Sequence, residues 1–276
     1  MLYLVGTPIG NCGDMSPRAV ETLRNADVIA CEDTRVTGIL LKQIGVTESK
    51  LFCYQEHNKA AKGPVLIEMM RNGLNVAQVS DAGMPAISDP GEDLVKLAIE
   101  EGIEVSVIPG PVAAFSALVL SGLDTRYSHC EFFLPQDASR RRKRIEKLKE
   151  YDETIILYEA PHRLNKLIDE LIEAGFGGSR AAFCREITKK YEEVVRLKVS
   201  EAKEYFLENP ARGEFVICLE PLPSKEAGLK AAPFDVDMLL RLLSEKNMPT
   251  KDIAAVASKL TGLSKKELYN RVIELT

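Results

Sequence analysis

The sequence predicts two α/β halves followed by a small all-helical extension. Three observations lead there. Short apolar runs alternate with amphipathic segments as far as residue 220, which is the pattern of strands joined by helices. Each early run stops at a polar cluster rich in glycine, proline or acid. After a stretch holding Pro221, Pro223 and Pro233, helical periodicity alone remains.

In chain order, Leu2–Val5 reads as a strand ending at Gly6-Thr7-Pro8-Ile9-Gly10-Asn11, and Ser16-Pro17 caps a helix with apolar positions at Val20 and Leu23. Asp27–Cys31 is the next strand and runs into Glu32-Asp33-Thr34-Arg35. A helix from Thr37 to Ile44 closes at Gly45. Leu51–Tyr54 ends at Gln55-Glu56-His57-Asn58, where Asn58 caps a helix that stops near Asn72-Gly73. Val76–Val79 leads into a long loop, Ser80 to Gly91. There Asp89, Pro90 and Glu92 look like the N-cap, first turn and third position of a helix that stops at Gly102. Glu104–Ile108, then Pro109-Gly110-Pro111, then the small-residue helix VAAFSALVLSG complete a largely parallel first half.

The stretch Gly122–Tyr127 breaks this rhythm and sets a boundary, with one domain over 1–121, a second over 122–222, and a linker and helical extension over 223–276. In the second half, Glu131–Leu134, Thr154–Tyr158, Arg180–Cys184, Glu192–Lys198 and Gly213–Glu220 read as strands. Ala138–Glu150, a segment after Pro161 ending at Gly175, and Ser200–Leu207 read as helices. Beyond the linker, Pro221–Pro233, Thr250 caps one helix and Ser264-Lys265-Lys266-Glu267 opens another as a capping box.

Hydrophobic content of 45%, charged content of 28% and a net charge of −5 describe a globular chain, so any polyanion must meet a local basic patch. The longest apolar run, Val112 to Leu120, is far short of a membrane span, and the start MLYLVGTP lacks the features of a signal peptide. Six cysteines without CxxC spacing argue against zinc and disulfide frameworks; a reducing, cytoplasmic setting and no metal site are expected.

In an open α/β sheet, ligands bind at the carboxyl ends of strands, where these polar clusters lie. Asp81 and Asp89 disfavour a pyrophosphate, and neither GxGxxG nor GxxxxGK[ST] occurs. A cationic or ribose-bearing ligand suits such loops better, although an ordinary βα loop with two caps has similar chemistry. Positive charge concentrates in one place: residues 140 to 149 hold seven basic residues, beginning Arg140-Arg141-Arg142-Lys143-Arg144. That run is either a solvated helix face or a phosphate-backbone footprint. Lys251, Lys259, Lys265, Lys266 and Arg271 add charge to the extension, which fits a helix-turn-helix-like unit or a helical cap.

Taken together, GTPIGN, ADVIACEDTR, QEHN, SDAGMPAISDPG, IPGPVAAFSAL, LYEAPHR, CREITKKYEE and GEFVICLE resemble the tetrapyrrole methylase superfamily, the class III S-adenosylmethionine-dependent methyltransferases, over residues 1 to about 220. Within it they resemble the group that 2′-O-methylates a ribose, that of a cytidine, in small-subunit (16S) ribosomal RNA. The resemblance implies two α/β domains with S-adenosylmethionine between them, a homodimer, and the rRNA or the 30S subunit as substrate. By position, Pro8, Ser80, Asp81, Ala82, Gly83, Ile87, Ser88, Gly110 and Ala113 would border the methyl donor from the first half, and Tyr158, Ala160 and Gly213 from the second. Two departures touch the RNA side: Gln136-Asp137 stands where the family has a basic dipeptide, and Gln55 opens the EHN loop.

A ribose hydroxyl is a poor nucleophile, so a general base is expected. Asp33, Glu56 and Glu186 are the leading candidates, with Glu32 and His57 beside them at strand ends, and Arg35 and Arg185 are available for RNA phosphate together with the Arg140–Arg144 run. Asp33 could equally cap the following helix, and Arg185–Glu186 could be an ion pair. A tetrapyrrole or precorrin methyltransferase, and a non-catalytic RNA-binding assembly factor, are the competing readings.

Overall fold

The computed structural model describes residues 1–223, 236–246 and 248–275; most of the expected linker lies outside them. The described chain divides into two compact units, Met1–Leu222 and Pro223–Thr276.

The first unit holds two five-stranded sheets. The first sheet comprises β1 (Leu2–Val5), β2 (Val28–Cys31), β3 (Leu51–Cys53), β4 (Val76–Gln78) and β5 (Val105–Ile108), all parallel, in the order β3-β2-β4-β1-β5. Parallel strands are buried on both faces and need helical crossovers. Here α1 (Pro17–Asn25) and α2 (Thr34–Gln43) cover one face, and α3 (Lys59–Arg71) and α4 (Glu92–Glu100) the other. The period-2 alternation is visible within β2: Ile29 and Cys31 join the first of these cores, Val28 and Ala30 the second.

The second sheet is mixed. Its strands β6 (Ser128–Phe133), β7 (Thr154–Glu159), β8 (Arg180–Arg185), β9 (Glu193–Lys198) and β10 (Phe215–Leu219) stand in the order β6-β7-β10-β8-β9, with only β6 and β7 parallel. Ile155 and Leu157 point to α6 (Ala138–Leu148), α7 (Leu164–Glu173) and α8 (Val199–Glu208). Ile156 points the other way, to α5 (Ala113–Ser121). The small-residue helix thus follows β5 in the chain yet packs on the second sheet, with Ala114, Ala117 and Leu118 against Ala182, Cys184 and Cys218. Ile9 and Ile187 belong to the same cluster, so the loop after β1 reaches the second sheet.

Several caps form as expected. The Ser16 hydroxyl accepts from Ala19 N–H at 3.1 Å, and Gly45, Gly73 and Gly102 take positive φ where helices stop. Three expectations are corrected. Asp89 does not cap α4: the helix starts two residues later, from Gly91 at φ 144°. Asn58 occupies the cap position of α3, but its side-chain oxygen accepts from Gln55 N–H at 2.9 Å and closes the preceding turn. Thr250 is a first helical residue, with Pro249 as the cap.

The second unit contains α9 (Val236–Ser244), which the sequence reading did not single out, α10 (Thr250–Thr261) and α11 (Lys265–Leu275). They enclose Leu240, Ile253, Ala254, Ala257, Leu268 and Val272. Gly262, at φ 72°, makes the sharp turn between α10 and α11, and Ser264 caps α11 through Glu267 N–H. Arg271, half-exposed, pairs with Asp237 at 2.6 Å.

Candidate functional site

Three strand-end loops of the first sheet are tied into one floor. Thr7, fully buried, donates its N–H to the Gly83 carbonyl at 2.8 Å, and its hydroxyl lies 3.1 Å from the Ser80 carbonyl and 3.2 Å from that of Gly83. Ser80, also buried, turns its hydroxyl toward the carbonyls of Ala82 and Gly83. The loops after β1 and β5 touch at Gly6 and Gly110, where a β-carbon on Gly6 would lie 2.6 Å from Gly110 Cα. Only glycine allows backbones to approach so closely.

Around this floor lie the positions expected to border a methyl donor. Pro8, Gly110 and Ala113 are half-buried, Gly83 is buried, and Asp81, Ala82, Ile87 and Ser88 are exposed. Ala86 and Ser88 are held at φ 66° and 62°, a left-handed conformation that non-glycine residues adopt rarely and mostly where the surroundings enforce it. From the second sheet, the Tyr158 hydroxyl accepts from Ala114 N–H at 3.0 Å, fixing the start of α5. Ala160 follows β7 and is half-buried. Gly213, at φ 79°, lies against Glu186, where a β-carbon would meet Oε1 at 2.5 Å. The loop after β1 also meets the one after β8: a β-carbon on Gly10 would strike the Lys189 stem.

The carboxylates separate into committed and uncommitted groups. Asp33 accepts from Arg35 N–H at 2.8 Å as the cap of α2 and pairs with the Arg35 guanidinium at 2.6 Å. Those bonds hold its carboxyl down at about 2. Such a group is a weak base, so the capping alternative describes Asp33. Glu56 is exposed and pairs with Lys59 at 2.6 Å; His57 is exposed beside it. For Glu186, burial pushes the carboxyl up, but bonds from Lys189 and Glu214 N–H and the charges of Lys189 and Arg185 prevail and hold it below the usual range. Its ion-pair partner is Lys189 at 3.0 Å; Arg185 pairs instead with Glu193 at 3.2 Å and donates to the Arg212 carbonyl.

Glu32 and Asp89 behave oppositely. Burial, with Asp89 and Asp81 nearby, pushes Glu32 up to about 7. Burial also pushes Asp89 up to about 6, with Asp81 adding and the Ser80 hydroxyl opposing. One oxygen of Glu32, Oε1, is enclosed without a hydrogen-bond partner. Sequence reading missed Asp89 because it looked like a cap. Its signal was the Ser-Asp repeat, Ser80-Asp81 and Ser88-Asp89, which brings two acids to one loop.

The basic run must be corrected at two positions. Arg141 is buried at 3% exposure, with Nη2 2.8 Å from Glu159 and Nε 2.6 Å from Glu170. A guanidinium enclosed by two carboxylates cannot neutralise an RNA phosphate. Arg144 is half-exposed and holds Glu131 in a two-pronged pair. Arg140, Arg142 and Lys143 remain exposed, so three charges of the five face solvent. Asp137 caps α6 by accepting from Arg140 N–H at 2.9 Å, a local use for the acid at that departure from the family's basic dipeptide. The EAPHR segment is likewise structural in part: Glu159, 1% exposed, is held by Arg141 and by Arg163 at 2.8 Å.

Comparison with known proteins gives two family matches. Residues 1–203 match the Tetrapyrrole (Corrin/Porphyrin) Methylases and residues 230–276 the RsmI C-terminal HTH domain. A protein of Mesorhizobium japonicum named ribosomal RNA small subunit methyltransferase I is 42% identical over 99% of this chain and 92% of its own length. A Halalkalibacterium halodurans protein of the same name is 47% identical over 79% of this chain and 75% of its own length. Among solved structures, a cobalt precorrin-4 methyltransferase superposes with a TM-score of 0.61 at 20% identity, covering 79% of this chain and 94% of its own. A uroporphyrin-III C-methyl transferase of Thermus thermophilus, solved in complex with S-adenosylhomocysteine, gives 0.56 at 17%, covering 79% and 96%. At these identities the structures show a shared fold.

Proposed function

The chain belongs to the tetrapyrrole methylase family, and on that premise we propose that it 2′-O-methylates a ribose, that of a cytidine, in small-subunit ribosomal RNA, using S-adenosylmethionine. The observation that supports the RNA reading best is the extent of the match: a relative named for rRNA methylation aligns over 99% of the chain, C-terminal helices included.

The residues present fit the methyl donor. The Gly6–Gly110 contact leaves backbone in place of side chains at the floor, and the acidic loop around Asp81 and Asp89 tolerates a sulfonium where it would repel a phosphate. When bound, S-adenosylmethionine supplies an electrophilic methyl group on cationic sulfur. Thr7 and Ser80 hold the loop that would face it, and the Tyr158 hydroxyl holds the start of α5 beside Ala113, which would border it from the other sheet. Because displacement is in line, holding the acceptor hydroxyl on the far side of the methyl group supplies much of the rate. Arg35, 87% exposed, together with Arg140, Arg142 and Lys143, would hold the RNA backbone.

A homodimer in the cytoplasm is part of the same proposal. Phe115 and Val119 on α5 are 53% and 77% exposed, an apolar face suited to a second copy. Among the described residues, no helix is long and apolar enough to cross a membrane. The decisive experiment incubates the protein with S-adenosylmethionine and small subunits from a strain lacking its gene, followed by nucleoside mass spectrometry. A 2′-O-methylcytidine is expected; a base-methylated nucleoside, or none, would overturn the reading.

A further inference from the structure

Resting on the ribose-methylation reading, we infer that Glu32 is the general base that removes the proton of the acceptor hydroxyl. Glu32 is the first residue beyond β2, beside β4, the strand that delivers Ser80–Gly83. Its loop is tied to that loop, since Asp33 N–H donates to Asp81 Oδ1 at 3.2 Å. A base should not be held by a cation, and the three acids singled out from the sequence each are. Asp33 holds Arg35, Glu56 holds Lys59, and Glu186 holds Lys189. Glu32 Oε1 is enclosed without a hydrogen-bond partner, so an acceptor hydroxyl would meet the carboxylate on the side where the residue keeps partial exposure at the loop surface.

The surroundings suit the task. The charges near Glu32 are Asp81 and Asp89 from the loop after β4, and Asp33 with its partner Arg35 on its own loop. From β3, the Cys53 thiol lies 3.6 Å from the Glu32 carbonyl. Burial and the two facing acids bring the carboxyl up to about 7, where it is partly ionised at neutral pH and still basic enough to take a proton. In the step, the 2′-oxygen forms its bond to the methyl carbon as the carbon–sulfur bond breaks. Sulfur keeps that electron pair and becomes a neutral thioether, and the hydroxyl proton passes to the Glu32 carboxylate.

The test compares wild type, Glu32→Gln and Asp89→Asn on small subunits lacking the modification, with kcat followed from pH 5.5 to 9. Wild type should rise tenfold per pH unit on an acidic limb and level off above about 7. Glu32→Gln should lose roughly 10²–10⁴-fold in kcat, and the limb with it, while S-adenosylmethionine affinity stays within about twofold. Asp89→Asn should move the limb to lower pH, whatever its plateau rate, because one facing negative charge is gone. Without ligands, Glu32→Gln should gain in melting temperature over wild type at pH 8 more than at pH 5, since only the charged carboxylate is penalised.

An active wild type with Glu32→Gln within threefold of it, or still showing the limb, overturns the role of Glu32 alone. A loss explained by weaker donor binding also overturns it. Should Glu32→Gln fail to fold, an unmoved limb in Asp89→Asn overturns it. A wild type inert on rRNA overturns the ribose-methylation reading and this inference with it.

Discussion

Replacing Arg141 by Met keeps the aliphatic stem and volume but removes the guanidinium from between Glu159 and Glu170. Glu159 is 1% exposed, so its charge would remain buried with Arg163, at 2.8 Å, as its one cation among the described residues. Removing one partner of a buried ion pair costs about 3–5 kcal/mol. Because Arg163 stays and Glu170 is partly exposed, the low end applies, ~3 kcal/mol. In a cooperative unit of this size, each kcal/mol moves the melting temperature by about 2–4 °C, so a fall of roughly 6–12 °C is expected. Calorimetry measures it, with urea unfolding as a second measure. Arg141→Met/Glu159→Gln should recover at least ~1 kcal/mol, because the uncompensated charge is gone. A single variant that melts within about 2 °C of wild type but binds RNA more weakly would refute the argument, for it would mean that the guanidinium serves the RNA.

Three further outcomes are expected. Arg140, Arg142 and Lys143 replaced together by Ala should leave the melting temperature unchanged and flatten the log–log salt dependence of RNA binding by roughly 2–3 units of slope; an unaltered slope rejects the footprint. Gly110→Ala would place a β-carbon 2.8 Å from Gly6 Cα, so it should destabilise by about 1–3 kcal/mol and weaken S-adenosylmethionine binding, and titration showing wild-type affinity would contradict the assigned floor. Asp89 has a folded pKa of about 6, raised from 3.8, so the folded state binds its proton more tightly. That contribution is complete below 3.8 and is lost as pH rises through about 6. Asp89→Asn should therefore melt higher than wild type at pH 7.5 with the advantage gone near pH 4, and an equal difference at both would argue against burial as the cause.

Much of the first sheet was legible because its signals are local. Ser16-Pro17 caps within three residues, and the alternation in Val28–Cys31 needs only a pleat. Asp89 failed as a cap because the chain spends two more residues folding it back toward Ser80, a choice made by tertiary contact. Arg141 was readable in principle: it falls four and seven residues before the buried Ile145 and Leu148, on the inner face of α6. The run of like charge around it hid that position. The mixed pairing of the second sheet was not legible, since strand neighbours depend on which apolar faces meet, and β8 and β10 are both near-continuous apolar runs. Among the site residues, the loop positions came from the motifs. The state of each carboxylate did not, because it depends on a partner such as Arg35 or Lys189, and in the second case on a bond from Glu214 far along the chain.

The contact between Gly6 and Gly110 also bears on how sequences of this fold can drift. At most buried contacts, such as Ile9 against the cluster containing Ile187, a larger residue on one side can be answered by a smaller one on the other. Where both partners are glycine there is nothing left to remove. A change at either position has no second-site remedy at the other, and relief would require moving two strand ends at once. Divergence among proteins that keep this floor should consequently accumulate around the pair and leave the pair itself untouched. A library that randomises residues 6 and 110 together should return glycine at both, with no compensated combination among the functional survivors.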